Sequence, residues 1–587
     1  MNKGGRKNGR VAGGTRASTI DRRLFAFRAA TVAALAVIVV RLFVLQVLSH
    51  ADYALLATGQ HNIYRDLFPE RGAIFLSDPQ SPEGVFPAAV NKGMAMIYAN
   101  PREVPDATSA AAELAALLDL DEAMLAEKLS RDDPYEPLKR RVDDETAEKV
   151  RELGIPGVKQ VLERHRFYPE DTSVSHIIGF VGSDDSGERA GRYGIEGYWD
   201  GELAGEPGYL QTERDPVGRW IGTGERNIQP ARDGVSLVLT IDRTVQYVAC
   251  EKLRAAVERY GAAGGTVVIM EPSTGAVLAM CSVPDFDPND FSRVEDIATF
   301  NNPAVFYPYE PGSVFKPFTM SAAIDAGSVT PSTVYNDEGS VVIGPFTIRN
   351  SDGKAHGYQS MTQVLEKSLN TGTIFAVGEL GPERFREYVE AFGFGRVTGI
   401  GLDTEVAGDI DSLYKKGDIW SATASYGQGI SVTPLQLVAA YGVLANGGKL
   451  MRPYIVDRVM RPDGTIEPTE PQVLRQVITK RAAALVGGML VNVVENGHGK
   501  RAAVPGYWVA GKTGTAQIAR RDGNGYEEDA FIGSFAGFAP IDDPAFVMLV
   551  RVDRPRDVQW AESTAAPLFG EIADFLLHYM EIPPERK

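Results

Sequence analysis

Tyr309-Glu310-Pro311-Gly312-Ser313-Val314-Phe315-Lys316-Pro317 is the segment from which the rest of this chain can be read. Pro311-Gly312 closes a loop, and the apolar run Val314–Met320 then opens a helix in which Pro317 is tolerable because it falls close to the first turn. Ser313 and Lys316 stand about one helical turn apart on one face, so a neutral lysine amine can take the serine's proton. The positive end of a buried helix would stabilise the resulting alkoxide. Ser-x-x-Lys occurs twice more, at Ser351/Lys354 and Ser412/Lys415. Gly353 and a polar loop disqualify the first. Lys416-Gly417-Asp418 follows the second at once and predicts exposure.

Two further elements single out Ser313. Ser368-Leu369-Asn370, 55 residues on, is the only Ser-x-Asn, within a predicted helix or the turn after it. Lys512-Thr513-Gly514 is the only Lys-Thr-Gly and follows the apolar run Tyr507–Ala510. Each motif alone is weak, but the three in this order form the signature of serine enzymes that are acylated by penicillin.

On these residues the chain resembles the class B penicillin-binding proteins, over nearly its whole length. Ser425-Tyr426-Gly427-Gln428-Gly429-Ile430-Ser431-Val432-Thr433-Pro434 and Gly511-Lys512-Thr513-Gly514-Thr515-Ala516-Gln517 match further stretches of that family. Arg41-Leu42-Phe43-Val44-Leu45-Gln46, Arg71-Gly72-Ala73-Ile74 and Arg166-Phe167-Tyr168-Pro169 are similar to its anchor and pedestal motifs. Glu310 ahead of Pro-Gly-Ser resembles the division-specific branch better than the elongation branch, which stays the alternative. The chain departs from the pattern at Phe75-Leu76-Ser77-Asp78, where an acid-containing turn is usual, and at Leu369, where a small residue is commoner.

The resemblance implies a D,D-transpeptidase that cross-links peptidoglycan stem peptides through an acyl-enzyme, is inhibited by β-lactams and needs no cofactor or metal. Ser313 would attack the D-Ala-D-Ala carbonyl, Lys316 would accept its proton, and Ser368 would relay a proton to the leaving D-alanine. Asn370 would hold the donor amide, and Lys512, Thr513 and Thr515 the terminal carboxylate. The backbone N–H groups of Ser313 and Thr515 would form the oxyanion hole. A multi-spanning membrane glycan polymerase and other division proteins are the implied partners, and the septum the implied place of action.

Composition agrees with an extracytoplasmic enzyme of several folded units. The 587 residues are 44% hydrophobic and 23% charged, which is globular, and too many for one ordinary domain. A net charge of −17 argues against nucleic acid as partner. Two cysteines, Cys250 and Cys281, exclude a disulfide framework but leave one bridge open, and the seven scattered histidines show no zinc spacing. Seven basic residues against one acid precede an apolar stretch, residues 24–48, long enough to span a bilayer. The positive-inside rule then places the N-terminus in the cytoplasm and the remainder outside the inner membrane. Leu48-Ser49-His50-Ala51 is a poor cleavage site, so the span is expected to be retained.

Four segments follow from this: a basic tail (1–23), the transmembrane anchor (24–48), an irregular β-rich pedestal or dimerisation region (49–233) and the catalytic domain (234–587). The pedestal carries one helical block, Thr108–Leu129. In the last segment Val235–Ile241 alternates as a strand, and Asp242 can cap a helix from Arg243. Gly265–Met270 and Ala276–Met280 read as a hairpin about a Pro272–Gly275 turn. Helices are predicted at Phe315–Ala326, Thr362–Gly378, Leu435–Ala445 and Ala566–Tyr579, and strands at Tyr507–Ala510, Phe531–Phe538 and Ala545–Val552. The pattern is α+β, an antiparallel sheet with flanking helices.

Rival readings are weaker. Gly506–Thr513 satisfies the phosphate-loop pattern G-x-x-x-x-G-K-[ST], but Tyr507-Trp508-Val509 prefers an extended strand and Gly514-Thr515-Ala516-Gln517 is a poor helix start. Glu170-Asp171 with His176 has the wrong spacing for a glycosyltransferase and reads as a polar turn. A β-lactam sensor would need a signalling domain, for which 23 residues are too few. A β-lactamase would need a deacylating carboxylate, and none can be assigned.

Overall fold

The computed structural model describes residues 17–48, 62–183, 187, 189–213, 226–520, 525–556, 558 and 560–586. Most of the basic tail and the disfavoured cleavage site around Ser49-His50-Ala51 lie outside the described residues. The chain divides into two compact units, residues 1–69 with 206–232, and 70–205 with 233–587.

In the first unit an α-helix, Ala17–Phe43, continues as a π turn, Val44–Leu48. Its 25-residue stretch Arg23–Val47 is long and apolar enough to cross a membrane and buries none of its surface against the protein. A helix apolar all round with no protein partner is suited to a lipid solvent. The same unit holds a three-stranded antiparallel sheet in which Gly208–Glu213 lies between Asn62–Leu67 and Arg226–Gln229.

The second unit contains two larger sheets. In the first, strands run in the order Ile466–Pro468, Val456–Met460, Ser236–Asp242, Ile74–Ser77 and Val85–Ala99, and the last of these pairs with both Glu136–Val142 and Val158–Phe167. Ser236–Asp242 lies parallel to Ile74–Ser77, so one sheet runs across the sequence position where the pedestal was expected to end. The strand is apolar along most of its length because both its faces are covered. Asp242 then caps the helix Arg243–Arg259, accepting hydrogen bonds from the N–H groups of Thr244 and Val245.

The expected block Thr108–Leu129 is two helices, Ala107–Leu118 and Glu122–Leu129. Asp119 takes a left-handed conformation (φ 48°) between them, and the Asp121 carboxylate caps the second by accepting from Met124 N–H. Leu114, Leu118, Leu125 and Leu129 bury themselves against Ile97 of the sheet.

The second sheet has five antiparallel strands, ordered Val277–Val283, Gly264–Met270, Phe546–Asp553, Tyr526–Ala539 and Ala510–Ala519. Side-chain alternation divides its faces. Val267 and Ile269 pack with the helices Arg243–Arg259 and Ala565–Tyr579, while Val268 and Met270 face Leu437 and Tyr441 of the helix Pro434–Ala445. Cys250 and Cys281 form a disulfide that ties the first of these helices to the neighbouring strand.

Two expected elements are displaced. The strand placed at Tyr507–Ala510 instead starts at Ala510 and runs through Lys512-Thr513-Gly514 to Ala519. Residues of the C-terminal segment hold the aromatic run: Tyr507 O–H donates to Ile582 O, Trp508 N–H to the Glu585 carboxylate, and Arg586 stacks 4.0 Å over the Trp508 ring. The helix placed at Thr362–Gly378 is interrupted, with Met361–Glu366 and Asn370–Leu380 on either side of Ser368, whose φ is +57°.

Candidate active site

Ser313 lies in a 3-10 turn, Gly312–Phe315, that runs into the helix Lys316–Asp325 with Pro317 in its first turn. This helix is buried on nearly every side. Phe315 and Phe318 pack on Phe394, and Tyr441 O–H donates to Val314 O at 2.8 Å, which fixes the serine's own turn. Ser313 itself is half-buried and borders a cleft of about 480 Å³.

Lys316 and Lys512 are both fully buried and converge on one hydroxyl. Lys316 Nζ donates to the backbone oxygen of Ser368 and, at 3.2 Å, to Ser368 Oγ. From the other side Lys512 Nζ donates to Ser368 Oγ at 3.0 Å and to Thr513 O at 2.9 Å. With both amines donating, the Ser368 hydroxyl keeps its own proton to give to a further acceptor. Among the described residues no carboxylate pairs with either lysine. Burial, with the charge of Lys512 added, pushes Lys316 well below its ordinary proton affinity. Burial alone lowers Lys512 to about 7.

The helix break at Ser368 puts that serine there. Leu369 is only 1% exposed and anchors the loop in the core, and its N–H donates to Val364 O at 2.9 Å. The bulk of Leu369 therefore faces inward. Asn370 donates its side-chain amide to Arg349 O at 2.9 Å and its backbone N–H to Asn350 Oδ1 at 3.0 Å. Asn350 is in turn held by both oxygens of Asp337, a 2% exposed carboxylate that also accepts from Thr371 Oγ1 and from the N–H groups of Gly339 and His356. Sequence reasoning missed Asp337 and Asn350, because nothing in their local pattern distinguishes them from loop residues.

Lys512, Thr513 and Thr515 lie on the edge strand of the five-stranded sheet, which leaves one row of backbone groups without a strand partner. Gly514 permits its close approach to the Ser313 turn, since a Cβ there would lie 2.9 Å from Val314 N. Thr515 Oγ1 accepts from Ala561 N–H at 3.1 Å, and both Thr515 and Ser313 border the cleft. Gly427 sits at φ +81°, and its carbonyl accepts from Gly312 N–H at 3.0 Å. A Cβ at Gly427 would lie 2.3 Å from Gly312 O. Glu310 joins the same region, accepting from Gly429 N–H and Tyr526 O–H, and its burial raises it above the usual carboxylate range.

The other candidates come apart. Ser351 borders the cleft from an exposed turn outside any helix, and Ser412 is buried while Lys415 is exposed with its Nζ 4.6 Å from the Trp420 ring. Ser412 was expected to be exposed; Leu413 beside it is packed into the core and carries it inward. Lys512-Thr513 is extended strand with no helix after it, which is not a phosphate loop. Glu170 pairs with Arg243 at 2.7 Å. His176 is buried, with its Nε2 2.9 Å from Thr299 O, and burial lowers it to about 4. Among the described residues no three His, Cys, Asp or Glu side chains converge as a metal site. A second concavity around Tyr198, Trp199, Arg452 and Tyr454 is lined by no serine, lysine or cysteine.

Comparison with known proteins places this geometry in a family. The model of the penicillin-binding protein transpeptidase domain matches residues 265–574, and that of the penicillin-binding protein dimerisation domain matches residues 67–239. The chain belongs to the class B penicillin-binding proteins, monofunctional D,D-transpeptidases of peptidoglycan. Stage V sporulation protein D of Bacillus subtilis is 34% identical over 525 residues, 88% of this chain and 79% of that protein. A probable peptidoglycan D,D-transpeptidase of Pseudomonas aeruginosa, PbpC, is 31% identical over 85% of this chain and 86% of its own length. Penicillin-binding protein 3 of Mycobacterium tuberculosis, solved with aztreonam, superposes with a TM-score of 0.68 at 27% identity, covering 89% of this chain and 98% of that one.

Proposed function

We propose that this transpeptidase works through Ser313 and acts at the division septum. Two buried lysines that share the Ser368 hydroxyl, with no carboxylate paired to either among the described residues, carry the reading. A lysine that burial has made easy to deprotonate can serve as a base at neutral pH. Ser313 Oγ attacks the carbonyl of the penultimate D-alanine while its proton passes to Lys316. The tetrahedral oxyanion is held by the Ser313 and Thr515 N–H groups. Collapse breaks the peptide bond, and the proton reaches the departing D-alanine amine through Ser368. An acceptor amine then attacks the acyl-enzyme, and the proton it sheds restores the serine. Lys512, Thr513 and Thr515 hold the terminal carboxylate, and Asn370 the donor amide. A β-lactam follows the first half, but its leaving group stays tethered.

Residues 24–48 serve as a retained anchor with the N-terminus (1–23) in the cytoplasm, residues 49–233 as a non-catalytic pedestal and dimerisation region, and residues 234–587 as the extracytoplasmic catalytic domain. A multi-spanning glycan polymerase and other division proteins are the partners this arrangement calls for. Glu310 before Pro-Gly-Ser favours septal over side-wall synthesis.

Fluorescent penicillin should label the full chain once, with the adduct on the Ser313 peptide and no label on Ser313→Ala. An adduct at Ser351 or Ser412 refutes the assignment. In growing cells a fluorescent fusion should collect at midcell, and patches along the side wall would overturn the septal role.

A further inference from the structure

The chain carries 77 acidic against 60 basic residues, yet among the described residues no acid borders the Ser313 cleft. Hydroxyls, amides and aromatic rings make up most of the wall, and Arg349 is the only charged side chain among the described residues that line it. An exposed arginine is ordinarily no more than a solvated charge, so its setting has to decide.

Arg349 ends the strand Phe346–Arg349, and its side chain pairs with no carboxylate among the described residues. Its backbone is fixed, because its carbonyl accepts from the Asn370 amide at 2.9 Å. The next residue, Asn350, is 4% exposed, locked to Asp337, and receives the N–H groups of Asn370 and Thr371 at 3.0 and 3.3 Å. The backbone of Arg349 is thus held in register with the Ser-x-Asn loop, which lowers the part of the ordering cost that falls on the chain when an anion binds.

We propose that Arg349 binds a second carboxylate of the donor stem peptide, carried by the side chain of the residue that precedes D-Ala-D-Ala. The inference rests on the transpeptidase reading above. There the terminal carboxylate goes to the strand carrying Lys512, Thr513 and Thr515, and the donor amide to Asn370. A group beside Asn370 and off that strand meets the donor upstream of the scissile bond. A planar guanidinium is suited to a carboxylate there by its paired N–H donors.

The test uses the detergent-solubilised full chain and two synthetic donors identical except that the residue before D-Ala-D-Ala bears a free side-chain carboxylate or its carboxamide. Their kcat/KM ratio is read from D-alanine release. Where turnover is too slow to time, it is read from the acylation rates of two β-lactams whose acyl side chains end in a carboxylate or a carboxamide. The wild type should favour the carboxylate by about tenfold. R349A should bring the ratio to about one, R349K should keep part of the preference, and R349E should invert it. A wild type without preference, or a preference that survives in R349A, overturns the proposal. Failure of both β-lactams to label Ser313 would instead refute the transpeptidase reading on which it rests.

Discussion

Two clusters of buried cations are treated in opposite ways. In the pedestal half, Arg71 and Arg166 reach Glu196, a fully buried carboxylate, at 2.7 and 2.6 Å. Arg71 also donates to Asp200 at 2.7 Å. Beside Ser368, Lys316 and Lys512 are also fully buried but, among the described residues, meet only hydroxyl and carbonyl oxygens. Arginine keeps its charge under any condition and its fork matches a carboxylate, so the first cluster fixes geometry. Lysine can surrender a proton when desolvated, and with no carboxylate beside the second pair among the described residues burial lowers its proton affinity.

The largest expected effect breaks the first cluster. Glu196→Ala leaves two guanidinium groups buried without their shared partner and should cost about 3–5 kcal/mol of stability. Denaturant unfolding would measure the loss, while the penicillin acylation rate per folded molecule should stay near that of the wild type. A comparable fall in that rate would mean that the two clusters are coupled.

The next test removes one buried lysine. Lys512→Met keeps the volume but not the charge, and should slow acylation by about 10²–10³-fold through lost substrate positioning. The same variant should gain about 1–4 kcal/mol of stability at neutral pH, since a buried charge without an acid partner destabilises the fold. The sign follows from proton binding. Lys512 in the folded protein has a pKa of about 7 against an ordinary 10.5, so the unfolded chain binds more protons between those values. Wild-type stability therefore rises with pH from about 7 to 10.5, and the advantage of Lys512→Met should be greatest at pH 7 and below and vanish above 10.5. Thermal unfolding of both proteins across that range checks it, and an advantage independent of pH would show that Lys512 is not the source.

Short-range features were legible in the sequence because a few neighbouring residues encode them. The Asp242 cap, the Gly264–Met270 and Val277–Val283 hairpin, and the turn that opens the Ser313 helix all arise from contacts within a few positions along the chain. The three motifs were legible as a set by their order. Elements shaped by distant partners were not. The Tyr507–Ala510 run looks like a strand, yet residues some 75 positions away hold Tyr507 and Trp508, which precede the strand that starts at Ala510. The Thr362–Gly378 pattern reads as one helix, but the burial of Leu369 breaks it and turns Ser368 towards the lysines.

By itself, the sequence determined the three motifs, the order in which they occur and the apolar stretch at the N-terminus. Only the tertiary structure decided what each charge meets. Ser368 lies 52 residues from Lys316 and 144 from Lys512, and Glu196 lies 125 from Arg71. The Cys250–Cys281 bridge, left open by the sequence, was settled in the same way. Local periodicity reports backbone conformation over a turn or two, whereas the proton affinity of a lysine depends on solvent exclusion and on groups that only the folded chain brings within a few ångströms.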